Sequence, residues 1–432
     1  METTFEPQEY IRGIQNILVS DKKRIAFLFG AGTSFGYVPL ISEMTKKIVE
    51  ISSNEKEEYR IILEKIELRI KASKKINYNI ETILSQIEQI IEFSGETGFY
   101  EVSKTEYENL RKKIRDQIID FVSVHRKIEI EKSAVKLVQS DFAEWVGEAS
   151  RKYPIEIFTT NYDYLFEIGL ENKSIPYYDG FKGSFNPFFF SDSIEDMNCY
   201  NLDAKLWKIH GSLGWKIDED NNKIIRARHE DNEILIFPSI QKYQESKKQP
   251  YISFLDRLYN FLKLDDTILF TCGYSFGDEH INERINSALK SNTTAHVVAL
   301  YYDEIKLNNN GKSVIEYSLK EGDPLYNIAM KQSKISACGM RNAIIGCKYG
   351  KWKLNREPDP DETIKLNYYF DEDAFDTEQD KNIIKKGEEK PTGEGRFILP
   401  NFLNFIKFLK SMIWENEIFK QAEQKKYKLN EK

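Results

Sequence analysis

Four short stretches gather the residue types that can do chemistry: Gly30-Ala31-Gly32-Thr33-Ser34, Thr159-Thr160-Asn161-Tyr162-Asp163, Lys208-Ile209-His210-Gly211-Ser212 and Gly273-Tyr274-Ser275-Phe276-Gly277-Asp278. A glycine-rich turn lets backbone come close to a phosphate, and the free N–H groups and dipole of a following helix favour the negative charge. Such turns also arise for purely steric reasons, and both readings stand. Histidine titrates near neutral pH, so His210 can accept and return a proton, or it can simply finish a turn. Asn161 can orient a water or a hydroxyl without adding charge, and Asp163 can stabilise positive charge. Equally, the pair reads as an N-cap and a first-turn acid. Asn79 and Glu81 read as capping residues, and His125, His229, His280 and His296 are given no role.

Each stretch follows an apolar run. Arg24 to Phe29, Ile155 to Thr160, Leu206 to Ile209 and Thr267 to Thr271 read as strands, with His296 to Tyr302 as a fifth. Continuous rather than alternating apolar runs are what parallel strands buried on both faces require. Helix-compatible segments follow, such as Ile41 to Ile51. The expected fold is α/β, a Rossmann-like doubly wound parallel sheet, whose ligands lie outside the carboxyl ends of the strands. All four polar stretches fall there.

Apolar residues at 11, 14, 17 and 18 predict a helix over 8–20. From about 42 to 150 the pattern is almost wholly helical, more than one crossover needs, so a helical insertion is expected within a domain spanning 1–305. Residues 306–432 read as a C-terminal, α-rich extension. It holds an amphipathic stretch near Tyr326 to Lys331, a candidate strand at Arg341 to Cys347 and a charged, loop-like segment over 355–396. It ends in an apolar helix, Phe397 to Phe419, which either docks on the core or forms a subunit or partner interface. The aromatic segment 177–190 is either a lid or core beneath a long loop.

Composition narrows the class. The 432 residues are 41% hydrophobic and 13% aromatic, ample for a packed core, and the net charge of −7 argues against a general nucleic-acid binder. Cysteines at 199, 272, 338 and 347 show no C-x-x-C pairing, which supports neither a zinc ribbon nor a disulfide framework. No apolar run reaches the ~18 residues of a membrane span, and Met1 to Tyr10 has no secretory h-region. A cytoplasmic protein with reduced cysteines and no metal ligands is expected.

Taken in order, the four stretches resemble the sirtuin (SIR2-like) superfamily, and more narrowly its bacterial branch found in anti-phage defence. The match spans about 24–300, and the long helical insert and the loop Tyr177-Tyr178-Asp179-Gly180-Phe181 are similar to that branch. The resemblance implies NAD bound across the sheet's carboxyl edge. Gly30, Ala31, Gly32, Thr33 and Ser34 would cradle the pyrophosphate, and Asn161 and Asp163 would stand beside the nicotinamide ribose. His210 would be the catalytic histidine, with Gly273, Ser275 and Asp278 near the adenosine half. Protein-deacylating sirtuins carry a four-cysteine zinc module, for which this sequence has no cysteine pair. Where they have a Gly-Ile-Pro-x-Phe-Arg type segment, this chain reads Phe35-Gly36-Tyr37-Val38-Pro39-Leu40-Ile41, with no arginine. The implied activity is therefore NAD⁺ hydrolysis, with NAD as substrate and no zinc. Deacylation and a non-catalytic NAD or ADP-ribose sensor are the alternatives. The implied partners are further copies of the chain or a HerA-type ATPase, without membrane or direct nucleic-acid contact.

Overall fold

The computed structural model describes residues 3–73, 78–93, 99, 101–130, 136–148, 151–197, 203–218, 220, 223–227, 249–302, 305–309, 312–316, 319–355, 369–372 and 393–413. Cys199, His229, most of the charged segment 355–396 and the end of the apolar helix from Trp414 lie outside the described residues.

The strand Arg24–Phe29 runs through the middle of a ten-stranded sheet. On one side it pairs in parallel with Ile155–Thr159, then Ala204–Lys208 and Tyr177–Tyr178. On the other it pairs in parallel with Thr267–Cys272, then His296–Leu300 and Ile335–Cys338. The chain therefore builds outward one way, returns to the centre and builds the other way. This is the doubly wound order, and the order reverses between Arg24–Phe29 and Thr267–Cys272. The candidate strand at 341–347 is present as Asn342–Ile345. It turns antiparallel to Ile335–Cys338 and to Lys348–Trp352, and the short strand Thr4–Phe5 closes that edge. Ile335–Cys338, Asn342–Ile345 and Lys348–Trp352 thus extend the same sheet beyond residue 305, while Ile305–Asn309 with Lys312–Glu316 and Phe370–Glu372 with Gly395–Phe397 form separate pairs.

Alternation along the central strand explains the layers. Ile25, Phe27 and Phe29 face one hydrophobic cluster and Ala26 and Leu28 the other, as a two-residue side-chain period requires. The first face is covered by helices Pro7–Val19, Val138–Glu148 and 402–413. The second is covered by Tyr251–Lys263, Glu279–Ser291 and Pro324–Ala329. On the first face the rings of Phe142, Trp145, Phe270 and Phe405 lie 5.2, 5.7, 5.7 and 6.1 Å from Phe27. Each such pair contributes ~0.5–1.5 kcal/mol beyond area burial. The C-terminal helix therefore spends Phe405, Ile406, Phe408, Leu409, Met412 and Ile413 on the core. Of the two readings of that helix, these residues follow core docking.

Helices Ile41–Glu55, Glu57–Ser73, Ile80–Phe93 and Lys104–Val122 build a separate core of their own. Asn79 caps the third of them, its Oδ1 accepting from Thr82 N at 3.0 Å. Val138–Glu148, at the far end of this helical run, packs on the sheet instead, as the crossover into Ile155–Thr159 must. Leu213 lies within the insertion's core, and Val38, Tyr162 and Tyr164 pack against it. The insertion thus sits against the loops that carry the polar stretches.

Part of the aromatic segment is core: Tyr178 and Phe181 are buried, whereas Tyr177, Phe188, Phe189 and Phe190 are half-buried. Tyr178 meets Trp207 at 6.0 Å, Phe181 meets Trp215 at 5.0 Å and Phe189 meets Phe254 at 5.7 Å. Phe185 is fully exposed at the tip between strands Phe181–Lys182 and Phe188–Phe189.

Candidate active site

Two glycine turns meet where the strand order reverses. A Cβ at Gly30 would stand 2.5 Å from the Gly273 carbonyl oxygen, and one at Gly32 would stand 2.7 Å from Gly273 Cα. A Cβ at Gly273 would lie 2.6 Å from Thr33 N, and its φ of +65° is left-handed as well. No side chain fits at these three positions, because backbone is packed directly on backbone. The turns are stitched by Gly32 N to Gly273 O at 3.0 Å and Gly30 N to Cys272 O at 3.2 Å. The steric reading of the glycines is therefore real, and it brings both turns to the crevice where doubly wound sheets bind ligands.

Asn161 locks into this pair. The chain leaves Ile155–Thr159, and Asn161 N donates to Thr159 Oγ1 at 3.0 Å. Its Nδ2 faces Gly30 O at 3.2 Å, Thr33 Oγ1 at 3.1 Å and Ser34 Oγ at 2.8 Å. A carbonyl oxygen only accepts, so the amide nitrogen, not the oxygen, points into the loop. Ser34 Oγ in turn donates to Asp163 Oδ2 at 2.7 Å, and Asp163 Oδ1 accepts from Leu165 N at 3.0 Å. All three side chains are buried. Asp163 therefore ties the glycine loop to the start of helix Leu165–Asn172.

His210 follows the strand Ala204–Lys208 and is buried, with Gly211 next to it at φ +92°. Lys208 holds that loop to the Asn161 turn. Its Nζ donates to Tyr162 O at 3.1 Å, to Asp163 O, and to Glu167 Oε1 at 2.8 Å. Burial pushes the Glu167 carboxyl up and the Lys208 charge opposes the shift. Ile209 N to Thr159 O and Leu213 N to Tyr162 O complete the attachment.

The third loop brings acid and imidazole. Asp278 precedes helix Glu279–Ser291, and its side chain makes no cap hydrogen bond there. Its Oδ1 lies 3.9 Å from His210 Nε2, and the rings of His210 and His280 are 5.9 Å apart. Ser275 is exposed beyond, its Oγ accepting from Gly277 N at 3.3 Å. Cys272, at the root of this loop, is no nucleophile, since burial pushes its thiol up to about 12.

The structure thus gathers Gly30, Thr33, Ser34, Asn161, Asp163 and Gly273 into one bonded unit, with His210 and Asp278 as a second group on the neighbouring loops. Ala31 is the exposed residue of the first turn. His280 was not expected. Its one sequence signal, an Asp-x-His spacing at a helix start, is indistinguishable from ordinary capping.

Topology and site define a doubly wound α/β protein with a polar cluster at its switch point. Residues 155–320 match the family model described as SIR2-like domain, so the chain carries a sirtuin-like domain that includes Asn161, Asp163, His210, Gly273, Ser275 and Asp278. A solved structure described as "Structural Basis for the Mechanism and Regulation of Sir2 Enzymes" is similar to it. The two are 13% identical over 67% of this chain and 84% of that one, with a TM-score of 0.31. No curated protein matches the chain. Among the described residues, no helix is long and apolar enough to cross a membrane.

Proposed function

We propose that the chain is an NAD⁺ glycohydrolase, which cleaves the nicotinamide–ribose bond with water to give nicotinamide and ADP-ribose. The observation that carries this reading is the bonded unit Asn161–Ser34–Asp163 on the glycine turn, with His210 on the next loop. A sirtuin-like domain makes NAD the substrate to test. Breaking an N-glycosidic bond passes through an oxocarbenium-like state, so positioning and local charge carry most of the catalysis.

Roles follow from the geometry. Asn161 donates inward, which leaves its amide oxygen to orient the attacking water or a ribose hydroxyl. His210 accepts the proton released from that group, and the Asp278 carboxylate beside it favours the imidazolium that results. Both Asp163 oxygens are engaged within the protein, so Asp163 acts as a positioning residue for Ser34 and Asn161. Gly30, Gly32 and Thr33 give their N–H groups to chain carbonyls, and Ser34 lies in the 3-10 turn Ala31–Ser34 with its Oγ donated to Asp163, so the pyrophosphate contact centres on the exposed Ala31. Gly273 and Ser275 line the adenosine side.

We further infer a cytoplasmic role in bacterial anti-phage defence, where triggered hydrolysis depletes NAD. Restraint would come from homo-oligomerisation or a HerA-type ATPase partner. A pull-down with neighbouring gene products that recovers no ATPase would remove that partner. The enzymatic reading is tested by nicotinamide release from NAD⁺. Activity in the wild type, abolished in His210→Ala and Asn161→Ala with NAD binding partly kept, is the expected result. Binding without release in any preparation would instead favour a sensing module.

A further inference from the structure

We propose that His210, Asp278 and His280 form a site for one transition-metal dication of the zinc class, and that filling it switches the enzyme off. Each residue offers one ligand atom, and the three atoms lie within 4.8 Å of one another. They come from the loop after strand Ala204–Lys208 and from the N-cap and first turn of helix Glu279–Ser291. Asp278 occupies the N-cap position with no cap bond from its side chain, and its carboxylate is turned toward His210 instead.

The donor set selects the metal. Two imidazole nitrogens with one carboxylate oxygen suit Zn²⁺, Co²⁺ or Ni²⁺, whereas Mg²⁺ and Ca²⁺ prefer oxygen ligands throughout. Zn–N and Zn–O bonds are ~2.0–2.2 Å, so neighbouring ligand atoms in a tetrahedral site stand ~3.3–3.5 Å apart. The His210–Asp278 pair, at 3.9 Å, has to close by ~0.5 Å. The widest spacing of the trio, within 4.8 Å, has to close by up to ~1.4 Å, through side-chain rotation. Three protein ligands leave the fourth position open for water.

The consequence follows from one lone pair. A His210 nitrogen bonded to a metal cannot accept a proton, so occupancy and hydrolysis exclude each other. This second half rests on the reading of His210 as the proton acceptor; metal binding does not. Such an ion would restrain an enzyme whose unchecked activity drains NAD.

The experiment uses the full chain stripped with EDTA. Titration with Co²⁺ should raise a visible absorption band that saturates at one equivalent and is displaced by Zn²⁺. In His280→Ala and His280→Gln the affinity should fall at least ~10-fold, with metal-free melting curves unchanged as the folding control. In parallel, Zn²⁺ should suppress nicotinamide release by the wild type, and EDTA should restore it. His280→Ala should turn over at the metal-free wild-type rate and lose zinc sensitivity by the same factor. The proposal is overturned if no band appears, if the His280 variants bind Co²⁺ as the wild type does, or if the metal raises the rate. A normal Co²⁺ titration with no nicotinamide release under any condition would sink the hydrolase reading and leave the metal site standing.

Discussion

Asn161→Asp keeps the shape of the side chain and reverses the hydrogen-bond polarity at the centre of the site. The wild-type Nδ2 faces three acceptors, Gly30 O, Thr33 Oγ1 and Ser34 Oγ. Its two protons serve about two good bonds, each contributing ~0.5–1.5 kcal/mol net. A carboxylate there would set oxygen against the Gly30 carbonyl oxygen, and Ser34 could donate either to it or to Asp163, not both. Acceptors left buried without a donor cost ~1–3 kcal/mol each, so the variant should lose on the order of 3 kcal/mol near pH 8. The sign with pH is fixed. Burial and the nearby Asp163 charge disfavour the ionised form, which raises the new group's folded pKa above its unfolded value. The deficit is therefore largest at high pH and shrinks as the carboxyl protonates and regains a donor. Urea unfolding followed by tryptophan fluorescence at pH 8 and pH 5.5 measures this directly, with Asn161→Ala as the uncharged control whose deficit does not vary with pH. A wild-type midpoint for Asn161→Asp at pH 8, or a deficit equal at both pH values, would refute the geometry.

Two further perturbations probe the scaffold. Gly273→Ala puts a methyl 2.6 Å from Thr33 N at a left-handed φ, so the two glycine turns must part. NAD affinity by calorimetry should fall more than ~10-fold, as a loss of ~1.4 kcal/mol or more requires. Gly277→Ala meets nothing closer than Ser275 Oγ at 3.3 Å and should bind as the wild type does. Arg257→Met removes the guanidinium that holds Glu156 by Nε at 3.0 Å and by Nη2, both residues being buried between helix Tyr251–Lys263 and the sheet. Glu156 keeps Trp207 Nε1 at 2.6 Å and Lys205 Nζ at 4.0 Å, so the loss in chemical denaturation should fall at the low end of the ~3–5 kcal/mol of a broken buried pair.

What the sequence revealed and what it hid divide along one physical line. Local signals were legible: the apolar runs of the five central strands, the glycine turns and the helical insertion are each written within a dozen residues. Past residue 305 the strands are short and held by their neighbours. Asn342–Ile345, for example, is held between Ile335–Cys338 and Lys348–Trp352. Lys205 and Lys208 are both buried. One approaches Glu156 at 4.0 Å and the other reaches the carbonyls of the Asn161 turn, partners that periodicity does not encode.

The pairing of His210 with Asp278 and His280 is the extreme case. Their parent strands, Ala204–Lys208 and Thr267–Cys272, are separated in the sheet by Ile155–Thr159 and Arg24–Phe29. At ~4.8 Å per strand that is a gap of ~14 Å, closed because both loops lean over the ends of the two strands between them. Those ends are where Asn161 and the Gly30 turn lie, so the same convergence that hides the trio from sequence places it over the crevice.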